Sequence, residues 1–289
     1  MSGTEVLASA SNLDKLEAVL DRQIPIDSLS ALLSSVDRTP HKNIQLENVA
    51  IGIDSSVFLK LANHSKSEDI VDYLGSKHHG PLILPGQAIQ EYWNNQYSSI
   101  PSIASEIQKK FENLRKEADK LGPNFPGYAA EMNNLLDRFS SEFGYVYDAS
   151  TIRSTLSLLT LLKDKAALSY VPRMRFHDMA LSRKRTKTPP GFKDDGDGDF
   201  FLWVDFLYGL LRAKDASQQF NHAVILTHDK KPDWSRASIA HPILTAEMQE
   251  LVGVPFDVWT IEQLSEAIAK NASAALPEAT VEAGKKDPR

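Results

Sequence analysis

The sequence predicts an α/β fold in which a central parallel sheet is flanked by helices. Short, almost continuous apolar runs such as Val49 to Ile53 and Ala223 to Thr227 have the length and composition of strands covered on both faces. Longer segments between them carry apolar residues at helical spacing, so the two kinds of element alternate. Acids follow several of these strands, at Asp54, Glu91 and Asp229, and the C-terminal strand ends of an open parallel sheet form its ligand crevice.

Composition bounds the rest. With 289 residues, 42% of them hydrophobic, the chain can bury a substantial core. No window approaches the roughly 18 uninterrupted apolar residues of a membrane span, and the N-terminus lacks the basic-then-apolar layout of a secretory signal. The absence of cysteine excludes disulfides and thiolate metal sites and fits a cytoplasmic protein. A formal charge of −6 means that a nucleic-acid partner has to be met by a local stripe of Lys and Arg.

Residues 1–45 read as a helical appendage with two apolar stripes, Leu13, Leu16, Val19 and Leu20, then Ile26, Leu29, Leu32, Leu33 and Val36. Asp54 follows the first strand, either as a ligand at the crevice or as a helix N-cap with Ser55 and Ser56 behind it. The strand Leu82 to Leu84 is broken by Pro85 and Gly86 before a helix on which Glu91 shares a face with Gln87, Asn94 and Asn95, an arrangement that a solvated polar face explains equally well. His78 and His79, in a loop-like KHHG, are expected on the surface.

Residues 102–170 form an expected helical insertion of three helices: Ser102 to Leu121, a second carrying Met132 to Phe143, and a third from Thr151 to about Tyr170, dense enough in leucine to be buried on most sides. A basic stretch follows, with Arg173, Arg175, Arg183, Lys184, Arg185, Lys187 and Lys193, and it runs straight into Asp194, Asp195, Asp197 and Asp199. Charge runs are usually solvated faces. A basic rim beside clustered carboxylates is also what phosphodiester cleavage requires, cations for the backbone and acids for a metal.

Asp199 opens an amphipathic helix through Leu202, Trp203, Phe206, Leu207, Leu210 and Leu211 and projects from its core-facing side, so it needs a partner, either helix N–H groups or a cation. The turn KKPDW after Asp229 adds Asp233. A helix from Ile243 to Val252, a strand from Phe256 to Trp259, a capping box at Thr260 and Gln263, and a disordered tail over 272–289 complete the expectation.

In this order, Asp54 after a strand, Glu91 on the helix after the next, Gly198–Asp199 opening a helix, and VILTHDKKPDW around Asp229 resemble the PIN domain, a metal-dependent nuclease fold. The segments PPGFKD, GDFFLW and THDKKPDW are similar to one branch of PIN-like proteins, and the likeness covers residues from about 48 to 265. Ser55 and Ser56 stand where the family has Thr-Asn, and His228 where it has Asn. The resemblance implies a three-layer PIN-like domain over 46–271. It further implies a metal-dependent endoribonuclease, of toxin or defence type, that hydrolyses phosphodiester bonds with a metal-activated water. By the same likeness Asp54, Glu91, Asp199 and Asp229 would be the catalytic and metal-binding acids for Mg²⁺ or Mn²⁺, with Asp197 and Asp233 as further candidate acids. Arg183, Lys184, Arg185, Lys187 and Lys193 would face nucleic acid, RNA above all. A homo-oligomer or a protein inhibitor is compatible with the same sequence. So is a catalytically silent PIN-like scaffold that binds RNA or a protein.

Overall fold

The computed structural model describes residues 3–37, 44–62, 64–99, 103–118, 126–143, 149–228, 231–236 and 239–274. Two helices, α1 (Gly3–Leu20) and α2 (Ser28–Asp37), precede strand β1 (Val49–Ile53). Then come α3 (Ser55–Ala62), α4 (Ser67–Asp72), β2 (Leu82–Pro85), α5 (Gly86–Ser99), α6 (Ile103–Ala118), α7 (Pro126–Phe143), α8 (Ala149–Lys165), β3 (Ala166–Ser169) and α9 (Arg173–Thr186). The chain continues through α10 (Gly198–Asp215), β4 (His222–Leu226), the short antiparallel pair β5 (Ser235–Arg236) and β6 (Ile239–Ala240), α11 (Pro242–Leu251), β7 (Phe256–Trp259) and α12 (Ile261–Ala274). Five strands form one parallel sheet in the order β3-β2-β1-β4-β7, flanked by helices in the α/β arrangement that the alternating pattern predicts. Among the described residues no helix is long and apolar enough to cross a membrane.

β1 is the central strand and is buried at every residue, as are β2 and β4 on either side of it. Gly52 lets a helix lie directly on this strand, because a Cβ there would come within 2.5 Å of the Phe206 ring. That helix is α10. The sequence predicts an apolar stripe for it, yet every residue from Phe200 to Leu211 is buried, with Trp203 and Phe206 among the largest enclosed side chains.

Three expectations are corrected. The helix expected to run to about Tyr170 stops at Lys165, and Ala166–Ser169 form the edge strand β3, paired in parallel with β2. Alanine keeps helical spacing as readily as it keeps a strand, so pairing with β2 decides the conformation. Nor is α8 buried on most sides: Leu158 and Leu162 are enclosed, but Leu156 is 57% exposed. His78, expected on the surface, is half-buried beside Tyr73 with ring centroids 5.7 Å apart, and burial pushes its pKa down to about 4.

The N-terminal segment divides. Leu16, Val19 and Leu20 of α1 belong to the same core as the sheet, whereas Leu29, Leu32, Leu33 and Val36 of α2 stay exposed. At the other end, the expected capping box is present: the Thr260 N–H donates to Gln263 Oε1 (2.8 Å) and the Gln263 N–H to Thr260 Oγ1 (3.3 Å). The tail expected over 272–289 lies, from residue 275 onward, outside the described residues.

One buried acid fastens the helical layer. Glu247 on α11 is fully enclosed and accepts from Arg183 of α9 (2.7 Å), from Arg22 just after α1 (2.7 Å) and from the Trp203 indole of α10 (2.8 Å). Removing it strands the Arg183 guanidinium in the core, a class of change that costs about 3–5 kcal/mol. Glu247→Ala is therefore expected to reduce the stability measured by urea unfolding by that amount, through a lower midpoint with the slope unchanged. A loss under about 1 kcal/mol would mean that Arg183 finds another acceptor.

Candidate functional site

The site begins where β1 ends. β1 and β4 pair in parallel with Ile53 opposite Leu226, which brings Asp54 level with Thr227. The Asp54 N–H donates to the Leu226 carbonyl (3.0 Å), so the ladder runs one residue past the strand and fixes the backbone of the acid. Its carboxylate is held by hydroxyls. Ser56 Oγ (2.6 Å) and Thr227 Oγ1 (2.7 Å) donate to one oxygen, and Ser55 Oγ (3.2 Å) donates to the other. Ser56 also accepts the His228 N–H (2.9 Å), which ties the start of α3 to the exit of β4. The two serines that follow Asp54 thus orient this acid.

Ser55 Oγ lies equally close, at 3.2 Å, to Oε2 of Glu91. A hydroxyl has one proton to give, so it sits between two carboxylates and can fully satisfy only one. Glu91 stands on α5, held by Gln87 Nε2 one turn earlier (3.0 Å). Glu91 and Gln87 turn to the site while Asn94 stays exposed, so the solvated alternative holds for Asn94 and fails for Glu91. Burial raises its pKa, and the nearby Asp54 charge adds to the rise against the bonds from Gln87 and Ser55 and the charge of Lys231. Glu91 holds this position because residue 198 is glycine: a Cβ there would push its Oε1 aside. The first residue of α10 therefore abuts the second acid, and the third acid, Asp199, is next in the chain.

Asp199 is not the cap of α10; that position belongs to Asp197. Its carboxylate accepts instead from the Trp234 indole (3.0 Å) and from Lys231 Nζ (3.1 Å), and the same ammonium lies 2.6 Å from Asp194. Burial, opposed by the Lys231 charge, pushes the Asp199 carboxyl up to about 7, with a hydrogen bond to Asp194 raising it further. The PPGFKD and GD segments thus meet Lys231, Asp233 and Trp234 in space. Gly191 lies against Asp199 Cβ, and its N–H donates to Asp233 (2.9 Å).

The remaining candidates divide accordingly. Asp233 is fully buried and supports the PPGF loop, and Asp197 pairs with Lys184 (3.3 Å). Lys184 also donates to the Asp195 carbonyl (2.5 Å). Arg183, expected to face nucleic acid, is a correction: it is buried against Glu247 and donates to the Pro189 carbonyl, because it continues the inward-facing row of Phe176 and Ala180 on α9. Arg185, Lys187 and Lys193 are exposed. Asp229 lies outside the described residues, as does the side chain of Asn95.

Sequence reasoning misses Lys231, Arg173 and Asp205. Asp205, fully buried on α10, takes both Arg173 amino groups (2.9 and 2.8 Å) and the N–H groups of Gln87 (3.0 Å) and Val171 (2.9 Å). It thereby sets the start of α5, and with it Glu91. Its signal is present in the sequence: a lone carboxylate inside FFLWVDFLYG must have a partner.

Chemically, the donor set fits a hard divalent cation. Its side chains offer carboxylate and hydroxyl oxygens, and two of its acids are raised, so added positive charge would relieve them. Among the described residues no three acidic or histidine side chains form a ready-made cage, and the fourth expected ligand, Asp229, is not among those residues.

The shift of Asp199 has a consequence for stability. A raised acid stabilises the fold below its unfolded value near 3.8, and this contribution is lost as pH rises through about 7. With divalent ions chelated, the urea midpoint is expected to fall from pH 4 to pH 7.5, and to fall less in Asp199→Asn. Identical slopes in the two proteins would remove Asp199 as the titrating group. In comparisons with known proteins, the chain matches no family model, no curated protein and no solved structure.

Proposed function

We propose that this chain is a PIN-like, divalent-metal-dependent nuclease that cleaves phosphodiester bonds in RNA. The observation that carries the reading is the convergence of three acids from three elements at the C-terminal edge of a parallel sheet. Ser55 lies between Asp54 and Glu91, and Glu91 is packed on the glycine that precedes Asp199. Parallel topology delivers strand ends to one crevice, and acids that repel one another there need a reason beyond stability.

The protein's own groups divide the work. Ser56 and Thr227 occupy one oxygen of Asp54, so the other faces Ser55 and the remaining acids. Glu91 and Asp199, both raised, are placed to take up a cation's charge. A bound Mg²⁺ or Mn²⁺ would activate water for attack on phosphorus and offset the charge developing on the leaving oxygen. Arg185, Lys187 and Lys193, exposed beside the acidic loop, are suited to the phosphate backbone; Arg183 is not, being committed to Glu247.

The test is cleavage of labelled RNAs and DNAs by purified protein in Mn²⁺ and in EDTA. Cleavage of RNA in Mn²⁺ alone is expected, with Asp199→Asn slower by orders of magnitude. RNA binding without cleavage under every condition would instead support a silent scaffold. Gly198→Ala makes a sharper probe: alanine suits a helix better than glycine, so the melting temperature should hold while the displaced Glu91 carboxylate abolishes cleavage.

Replacing Arg185, Lys187 and Lys193 together by Ala should weaken RNA binding across sequences. The slope of log affinity against log salt should drop by about 0.7 for each phosphate that these side chains neutralise. An unchanged slope would make them a solvated face.

A further inference from the structure

The proposed function leaves Lys231 without a task. Its ammonium stands 2.6 Å from Asp194 and 3.1 Å from Asp199, and its charge also reaches Glu91. On its C-terminal side the turn that carries it is anchored twice: Asp233 is buried against the Gly191 N–H, and Trp234 is buried edge-on to Trp203 at 6.0 Å. From that anchored backbone the side chain reaches both acids.

Resting on the metal-dependent reading above, we infer that Lys231 is a built-in counter-ion that competes with the divalent cation for Asp199. Lys231 and the Trp234 indole both meet Oδ2 of Asp199, so a divalent cation held by the same carboxylate would stand close to the ammonium, and the two positive charges repel. Without the metal, the ammonium offsets the repulsion among Asp194, Asp199 and Glu91. When the metal arrives, Lys231 leaves Asp199, keeps Asp194 as its partner and turns its charge toward solvent or a substrate phosphate. Asp194 is outside the set of expected ligands, and it is the nearer of the two carboxylates, so it can hold the lysine while Asp199 is released. The metal-free protein is thereby protected from its own acids, and metal affinity is set below what those acids alone would give.

The experiment measures Mn²⁺ binding to the full chain by thermal shift and calorimetry, in wild type, Lys231→Met and Lys231→Arg. A neighbouring cation changes a carboxylate's affinity for a proton by about 10- to 1000-fold, so Lys231→Met is expected to bind Mn²⁺ at least about tenfold more tightly than wild type. Lys231→Arg should stay close to wild type. Equal or weaker binding by Lys231→Met, with wild type still stabilised by Mn²⁺, overturns the competition and leaves the metal site standing. No Mn²⁺ effect on any of the three overturns both.

A measurement on wild type covers a Lys231→Met protein that does not fold. Lysine acylation followed by peptide mass spectrometry should show Lys231 reacting faster once Mn²⁺ is added, relative to the exposed Lys193. An unchanged or slower Lys231 overturns the proposal.

Discussion

Carboxylates gathered at one edge of a sheet repel one another, and each loses water that would have stabilised its charge. How that charge is offset organises this end of the molecule. Asp54 is met by neutral donors, the hydroxyls of Ser55, Ser56 and Thr227, which satisfy its lone pairs without cancelling its charge. Glu91 shares one of those hydroxyls and has an amide besides. Among the described residues, Asp199 is the one of the three in direct contact with a full positive charge. The compensation is thus graded across the site, neutral on the β1 side and ionic on the α10 side. The acid at one end is left with its charge uncancelled, and the acid at the other is matched by a lysine.

Two further buried acids hold the walls of this edge, and neither touches it directly. Asp205 gathers Arg173 and the N–H groups of Gln87 and Val171, joining α10 to the start of α5 and the exit of β3. Glu247 gathers Arg183, Arg22 and Trp203, and Arg183 continues to the Pro189 carbonyl at the root of the PPGF loop. Desolvation consumes much of the attraction in such pairs, so replacing a whole pair by apolar groups is often harmless to stability. What an apolar pair could not supply is direction. Bidentate and multidentate bonds fix helix α5 and the loop in rotation as well as in distance, and the acids they support depend on both.

The strands β1, β2, β4 and β7 are legible in the sequence because each is a short apolar run bounded by polar or helix-breaking residues. The convergence of Asp54, Glu91 and Asp199 follows from parallel topology. β3 is hidden because Ala166 and Ala167 extend helical spacing from α8, and its partial exposure removes the apolar signature of a central strand. Lys231 is hidden for a different reason: a lysine in a polar turn reads as solvated, and only the folded chain brings Asp194 and Asp199 to it. Arg183 is separable from Arg185 by spacing, since it follows Phe176 and Ala180 on the buried row of α9. Counting charge alone merges the two.

Magnitudes also decide between the two sequence readings of Asp199. An anion in the first turn of a helix gains about 0.3–1 kcal/mol from the backbone dipole. Burial works against it on a larger scale, since a carboxyl moved from 3.8 to about 7 corresponds to several kcal/mol at roughly 1.4 per pK unit. The helix does not depend on the acid, because every residue from Phe200 to Leu211 is buried in the core. A lysine, an indole and a glycine accommodate at position 199 an acid whose burial works against fold stability, which supports the ligand role proposed for it.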